Sequence, residues 1–281
     1  MKPATLWKLR SRTLTLGNSS LVMGIVNVTP DSFSDGGKFS ETEKAIQHGL
    51  KLAHDGAAIL DIGGESTRPY STPVETEEEL KRVIPVIQGI VKETDVPVSI
   101  DTSKAAVASA AVEAGAEIIN DVTGLEGDPE MLEVALKSGA GICAMHMKGN
   151  PQNMQDNPEY FDVVREIHAY LAKRKSHLLD AGIELEKICL DPGIGFGKTH
   201  EHNLQLIRDC DQYHDLGCPI LIGHSRKGFI GKLLGDKAAD RDAGTLAITL
   251  KLADKGIQII RVHEVANTVA ALKVQSELSQ D

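Results

Sequence analysis

The chain has 281 residues, 41% of them hydrophobic and only 4% aromatic, with a formal charge of -10 at pH 7. This composition supports a sizeable core of aliphatic side chains and excludes a fibrous or disordered chain. The negative balance argues against nucleic acid or an anionic membrane as partner, so an anionic ligand has to meet a local basic cluster.

The first stretch, TLWKLRSRTLTLG (5–17), alternates apolar and polar residues and predicts a small β-hairpin. It lacks the apolar core of a signal peptide, and nowhere do about 18 apolar residues follow one another, so neither export nor a membrane span is expected. Cys143, Cys189, Cys210 and Cys218 show no CxxC spacing and fit a reducing compartment, which makes the expected location cytoplasmic.

After the hairpin come eight short apolar runs: LVMGIVNV (21–28), AAILDIGG (57–64), VPVSIDTS (96–103), EIINDVTG (117–124), GICAMHM (141–147), ICLDPGIG (188–195), PILIGHSR (219–226) and IQIIRVHE (257–264). Between and after them, segments such as TEEELKRVIPVIQGIVKET (76–94) and RDAGTLAITLKLADKG (241–256) place apolar residues three or four apart and mostly stop at Gly. Strands this apolar, separated by helices, are parallel strands covered by helices. An eightfold alternation with right-handed crossovers predicts an α/β fold, a (β/α)₈ TIM barrel with an N-terminal β-hairpin, as a single domain over 1–281. An open Rossmann-like sheet would want GxGxxG after the first strand, where NVTPDSFSDGG (27–37) stands instead.

In such a barrel the C-terminal strand ends carry the chemistry. Here they hold Asn27, Asp61, Asp101, Asn120 with Asp121, His146 with Lys148, Asp191, Ser225 with Arg226 and Lys227, and Arg261 with His263. Asp101, Asn120 and Asp191 end apolar strands, a placement that is costly unless a partner satisfies them. The amine and adjoining ring N–H of an aminopyrimidinone would do so with two parallel hydrogen bonds to one carboxylate. Taken singly, Asp101 reads equally well as a helix cap and Asp191 as a turn residue. Arg68, Arg226, Lys227, Arg261 and His263 gather positive charge suited to a phosphate or carboxylate.

DPGIGFGKT (191–199) is not a phosphate loop, because Pro192 stands where GxxxxGK[ST] needs Gly. The histidines of HEH (200–202) sit two apart at a helix start and face different ways, unlike a zinc pair. His146 and Met145, alone at a strand end, fit packing at least as well as ligand contact.

GIVNVTPDSFSDGG, DIGGESTRP, VSIDTSK, INDVTG, MHMKGNPQNMQ, DPGIGFGKT, SRKGFIG and RVHEV, in this order along nearly the whole chain, closely resemble the bacterial dihydropteroate synthase family. The resemblance implies a barrel, usually homodimeric, that joins 6-hydroxymethyl-7,8-dihydropterin pyrophosphate to p-aminobenzoate and is the target of sulfonamides. It implies that Asp101, Asn120, Asp191, Lys227 and Met145 line the pterin pocket with Asp61 close by, that Arg261 and His263 grip the phosphates, and that Asn27 binds Mg²⁺ alongside the pyrophosphate. Thr67, Arg68 and Pro69, with Phe33, Phe196 and Ser225, are implied to frame p-aminobenzoate, and Thr67 to border the pterin pyrophosphate as well. The polar stretch 27–37 then reads as a lid. Gly228 stands where family members often carry Ser, Tyr70 where Gly is common, and Glu264 where Asp is commoner. A methyltetrahydrofolate methyltransferase-like barrel should lack the STRP and SRK loops. A pterin-binding paralogue without activity is disfavoured by the intact Asn27, Arg68, Lys227, Arg261 and His263.

Overall fold

The computed structural model describes residues 3–17, 19–29, 38–236 and 238–278. Strands β1 (Leu6–Lys8) and β2 (Thr13–Thr15) form the expected antiparallel hairpin. The eight apolar runs become β3 (Leu21–Asn27), β4 (Ile59–Gly63), β5 (Val98–Asp101), β6 (Ile118–Asp121), β7 (Gly141–Met145), β8 (Ile188–Asp191), β9 (Leu221–Ile222) and β10 (Ile259–Val262). From β3 to β8 each strand pairs in parallel with the next, and β10 pairs in parallel with both β3 and β9. A bridge between Leu190 and Ile220 joins β8 to the β9 run, with the Leu190 N–H 2.9 Å from the Pro219 carbonyl, and the sheet closes into the barrel.

The crossovers are α1 (Lys38–His54), α2 (Thr76–Glu93), α3 (Ala105–Glu113), α4 (Met131–Ser138), α5 (Val163–Asp180), α6 (His200–Arg208), α7 (Gly228–Leu233), α8 (Asp242–Asp254) and α9 (Val265–Leu278). The sequence periodicity shows all of these except α7, whose six residues are too short to repeat an apolar stripe. After β8 the helix starts at His200 and breaks at Asp209, where α6 gives way to a 3₁₀ stretch, Cys210–Leu216. Thr199 caps α6 by accepting from the His202 N–H at 3.2 Å, and the His202 ring returns a bond to Thr199. The HEH histidines are therefore helix-start residues.

Strand alternation sends every second side chain into the barrel. Met23, Ile59, Ile118, Cys143, Cys189, Leu221 and Ile259 meet there and pack on Trp7, Leu9 and Leu16 from the hairpin region. Trp7 is fully buried and its indole N–H donates to the Lys187 carbonyl at 3.0 Å. The hairpin thus plugs the N-terminal end of the barrel. Among the described residues no helix is long and apolar enough to cross a membrane.

Candidate active site

Two positions beyond this apolar floor, the same strand faces turn polar. Ile59 leads to Asp61, Ile118 to Asn120, Cys189 to Asp191 and Ile259 to Arg261, while Met145 follows Cys143 and Asp101 lies in register with Gly63 and Asn120. Barrel closure brings residues 200 positions apart into contact: Arg261 Nε donates to Asp61 Oδ2 at 2.5 Å. Its Nη2 donates to Asp101 Oδ2 at 2.7 Å, and Asn120 Nδ2 donates to the same Asp61 oxygen at 3.1 Å. Asp61 is fully buried, and its Oδ1 has no partner among the described residues.

Burial sets the protonation of this layer. It pushes Asp101 up to about 7 against the pull of the Arg261 guanidinium, and the neighbouring Asp61 charge adds to the rise. Asp191 is raised by burial too, opposed by the Gly193 N–H and by Lys227. Lys227 is driven down to about 7 by burial, with Asp191 working to keep it charged. Burial also works against the Arg261 charge, but Asp61 and Asp101 outweigh it and hold the guanidinium above its usual range. The result is a cationic Arg261 bound by acids, with Asp101 and Lys227 both poised near neutrality.

Asp101 does not cap α3. The Ala105 N–H goes to Asp128 at 2.8 Å and the Lys104 N–H to Thr102 at 3.2 Å, which leaves the Asp101 carboxylate to the barrel interior. Asp191 does serve its turn, accepting the Gly193 N–H through Oδ1 at 2.7 Å. Gly193 has φ 70, and a Cβ there would lie 2.0 Å from the His146 carbonyl oxygen, so only glycine lets the loop pass. Lys227 Nζ donates to the Ile194 carbonyl and stands 4.2 Å from the Phe196 ring centroid. Phe196 is thereby placed beside the Lys227 ammonium.

His263 follows β10, and its Nδ1 lies 2.9 Å from Ser225 Oγ, which also accepts the His263 N–H at 3.2 Å. Burial, then the Arg261 charge, push this imidazole down to about 3, and Arg68 adds to the fall. It is neutral at pH 7 and hydrogen-bonds without carrying charge. Thr67 is half-buried, and Arg68 and Pro69 are exposed on the loop after β4. At its tip Tyr70 takes φ 63, a left-handed conformation that costs about 1 kcal/mol for a residue with a Cβ. Two contacts offset that cost: the Tyr70 N–H donates to the Pro151 carbonyl at 2.9 Å, and its hydroxyl to Asp156 at 3.1 Å. Tyr70 therefore ties this loop to the one after β7.

Arg226 departs from the expected basic group. Its guanidinium is bidentate to Asp242 at 2.6 and 2.7 Å, so it braces α8 and is not offered to an anion. Lys148 likewise turns away, donating to the Glu159 carbonyl with its ammonium 4.3 Å from the Tyr160 ring. Phe33 and the rest of the proposed lid at 30–37 lie outside the described residues.

One buried group went unread in the sequence. Lys198, 2% exposed, sets its amine 3.0 Å from His146 Nδ1 and 2.8 Å from the Phe196 carbonyl, and burial drives its pKa well down. Its one signal in the sequence is a lysine inside DPGIGFGKT. Its contacts show a loop fastener for Phe196.

Asn27 ends β3 half-buried, in register with Gly63. Among the described residues no group of three or more His, Cys, Asp or Glu side chains is arranged to hold a metal ion. Among the described residues Asn27 offers one amide oxygen here, a hard donor that suits an Mg²⁺ taking further ligands from water and a substrate's phosphates.

The chain as a whole has relatives in sequence and fold. The pterin-binding enzyme family matches residues 23–263. The dihydropteroate synthase of Escherichia coli K12 is 46% identical over 253 residues, covering 90% of this chain and 89% of that protein. The Xanthomonas albilineans dihydropteroate synthase structure with 4-aminobenzoic acid superposes with a TM-score of 0.91 at 46% identity, covering 99% of this chain and 100% of that one. The Yersinia pestis dihydropteroate synthase structure with a sulfonamide drug complex reaches a TM-score of 0.91 at 43% identity, covering 97% and 98%. Similarity this high across nearly the full length leaves one assignment: the chain belongs to the pterin-binding enzymes, in the dihydropteroate synthase family.

Proposed function

We infer that the chain condenses 6-hydroxymethyl-7,8-dihydropterin pyrophosphate with p-aminobenzoate, releasing pyrophosphate and 7,8-dihydropteroate, and that sulfonamides compete with p-aminobenzoate. The observation that carries the reading is the polar layer in which buried Asn120 and Asp191, two positions above the apolar floor, join the half-buried Asp101 and Lys227. Such a layer supplies acceptors for the pterin amine and ring N–H and a donor for its carbonyl. Met145, buried at the end of β7, provides apolar surface for the ring. Thr67, Arg68, Pro69, Phe196 and Ser225 border the mouth, where p-aminobenzoate and the pyrophosphate meet.

The chemistry asks for stabilisation of charge more than for a base. The C–O bond at the pterin methylene breaks, its electron pair leaves with pyrophosphate, and positive charge spreads over the dihydropterin. Asp101 and Asp191 favour that cation. Arg261, held on Asp61 and Asp101, keeps a fixed positive charge beside the leaving group, and the neutral His263, oriented by Ser225, hydrogen-bonds to it. The aryl amine then forms the new C–N bond and releases a proton. Mg²⁺, held by Asn27 and the phosphates, would supply Lewis-acid neutralisation of the pyrophosphate. The homodimer belongs to the same reading: Leu233 at the end of α7, Leu234 just after it, and Val274 and Leu278 on α9 are exposed apolar side chains that a second copy would cover.

The direct test mixes the pterin pyrophosphate, p-aminobenzoate, Mg²⁺ and the protein. Pyrophosphate and 7,8-dihydropteroate are expected in equal amounts, whereas pterin binding without product would mark an inactive paralogue.

Pterin affinity should also trace a bell in pH. The pterin donors need the Asp101 carboxylate, which takes a proton as pH falls below about 7, and its carbonyl needs the Lys227 ammonium, which loses one as pH rises above about 7. Calorimetric titration with a pterin from about pH 5.5 to about pH 8.5 should show weaker binding at both ends. Lys227→Arg should remove the alkaline limb, since arginine stays charged; a profile flat in both proteins contradicts the assignment.

A further inference from the structure

We propose that Lys104 and Glu65 form a latch that places Thr67, Arg68 and Pro69 for the aryl amine substrate, which makes both of them positioning residues; the proposal rests on the reaction inferred above. Glu65 opens the loop after β4. Its Oε1 accepts the Val74 N–H at 3.3 Å, so one side chain staples the loop's two ends and encloses Thr67 to Pro69. Its Oε2 is bonded by Lys104 Nζ, from the turn that follows Asp101.

Lys104 is itself anchored from below. Its ammonium lies 2.5 Å from Oε2 of Glu79, a fully buried carboxylate in the first turn of α2 whose Oε1 has no partner among the described residues. A buried carboxylate needs a compensating cation, so the Glu79 charge fixes the ammonium in place, and the ammonium then fixes Glu65. Arg82, on the same helix, donates to the Gly64 carbonyl at 3.0 Å and holds the root of the loop. The loop that meets the amine is therefore registered against the strand that carries Asp101. None of these four side chains enters the proposed chemistry. Neutralising Glu79 alone would need only one lysine contact; the second contact, to the stapling Glu65, is what points to positioning.

Glu65→Gln keeps the Lys104–Glu79 pair and removes the charge of the latch. We expect its KM for p-aminobenzoate to rise roughly tenfold, with kcat and the KM for pterin pyrophosphate within about twofold of the parent and an unchanged melting temperature. Lys104→Met leaves Glu79 unpaired and can fail to fold, so it is measured in a Glu79→Gln background, where the same selective rise is expected. Lys104→Arg should return KM to within about threefold of the parent. A parent-like KM in Glu65→Gln, or an equal rise for both substrates, overturns the latch while the functional reading stands. A parent protein that makes no dihydropteroate overturns that reading and the latch with it.

Discussion

Asp101→Ala is expected to abolish measurable pterin binding while leaving the barrel folded. Asp101 sits at the end of β5 with its carboxylate turned inward, and no helix cap depends on it. The substitution removes the acceptor of two charge-assisted hydrogen bonds, each worth about 1.5–3 kcal/mol. That is at least a hundredfold loss in affinity. It also withdraws one of the two carboxylates that bind Arg261, but Asp61 keeps the other contact, so the guanidinium stays paired. Asp101→Asn separates the two roles: the amide keeps an acceptor for one N–H and places a donor where the second N–H points. Calorimetry with a pterin should find no binding for Ala and weak binding for Asn. Parent-like affinity in the alanine variant would move the pterin to Asp191 alone.

Asp61→Ala should act on stability first. Asp61 is 0% exposed and its Oδ2 accepts from both Arg261 and Asn120. Removing it leaves a largely buried guanidinium with Asp101 as its remaining carboxylate and an amide without its partner. Breaking a buried pair from one side costs about 3–5 kcal/mol, which in a chain of this size lowers the melting temperature by roughly 10 °C. Asp61→Asn keeps the acceptor without the charge and should fall between. Thermal unfolding followed by circular dichroism checks the order. If Asp61→Ala melts like the parent yet binds no pterin, Asp61 is a ligand contact and not the support of Arg261.

These polar strand ends are visible in the sequence because each breaks an apolar run: the D of SID, the N of IIND and the D of ICLD are polar residues where a strand ought to stay greasy. Their common inward direction follows from strand period, since every second residue of a strand faces the same side, whereas the pairing register that sets Asp101 level with Asn120 belongs to the closed sheet. Lys227 is half-legible. The sequence places it after the seventh strand but not over Phe196, since that contact depends on how two loops cross. Arg226 shows the opposite. One position away and equally cationic, it is consumed by Asp242, sixteen residues on, through a backbone turn at φ 58 that no apolar pattern announces.

The amino-acid sequence by itself determined the βα alternation, the hairpin, the polar strand ends and the family, because hydrophobic period and motif order are local properties of the chain. Tertiary structure alone decided which charges are free and which are paired. Arg261 with Asp61, Lys104 with Glu79 and Glu65, and Lys198 with His146 are contacts between different strands and loops. Their distances, and the burial that moves Asp101 and Lys227 to about 7, exist only after the barrel has closed and shut out water.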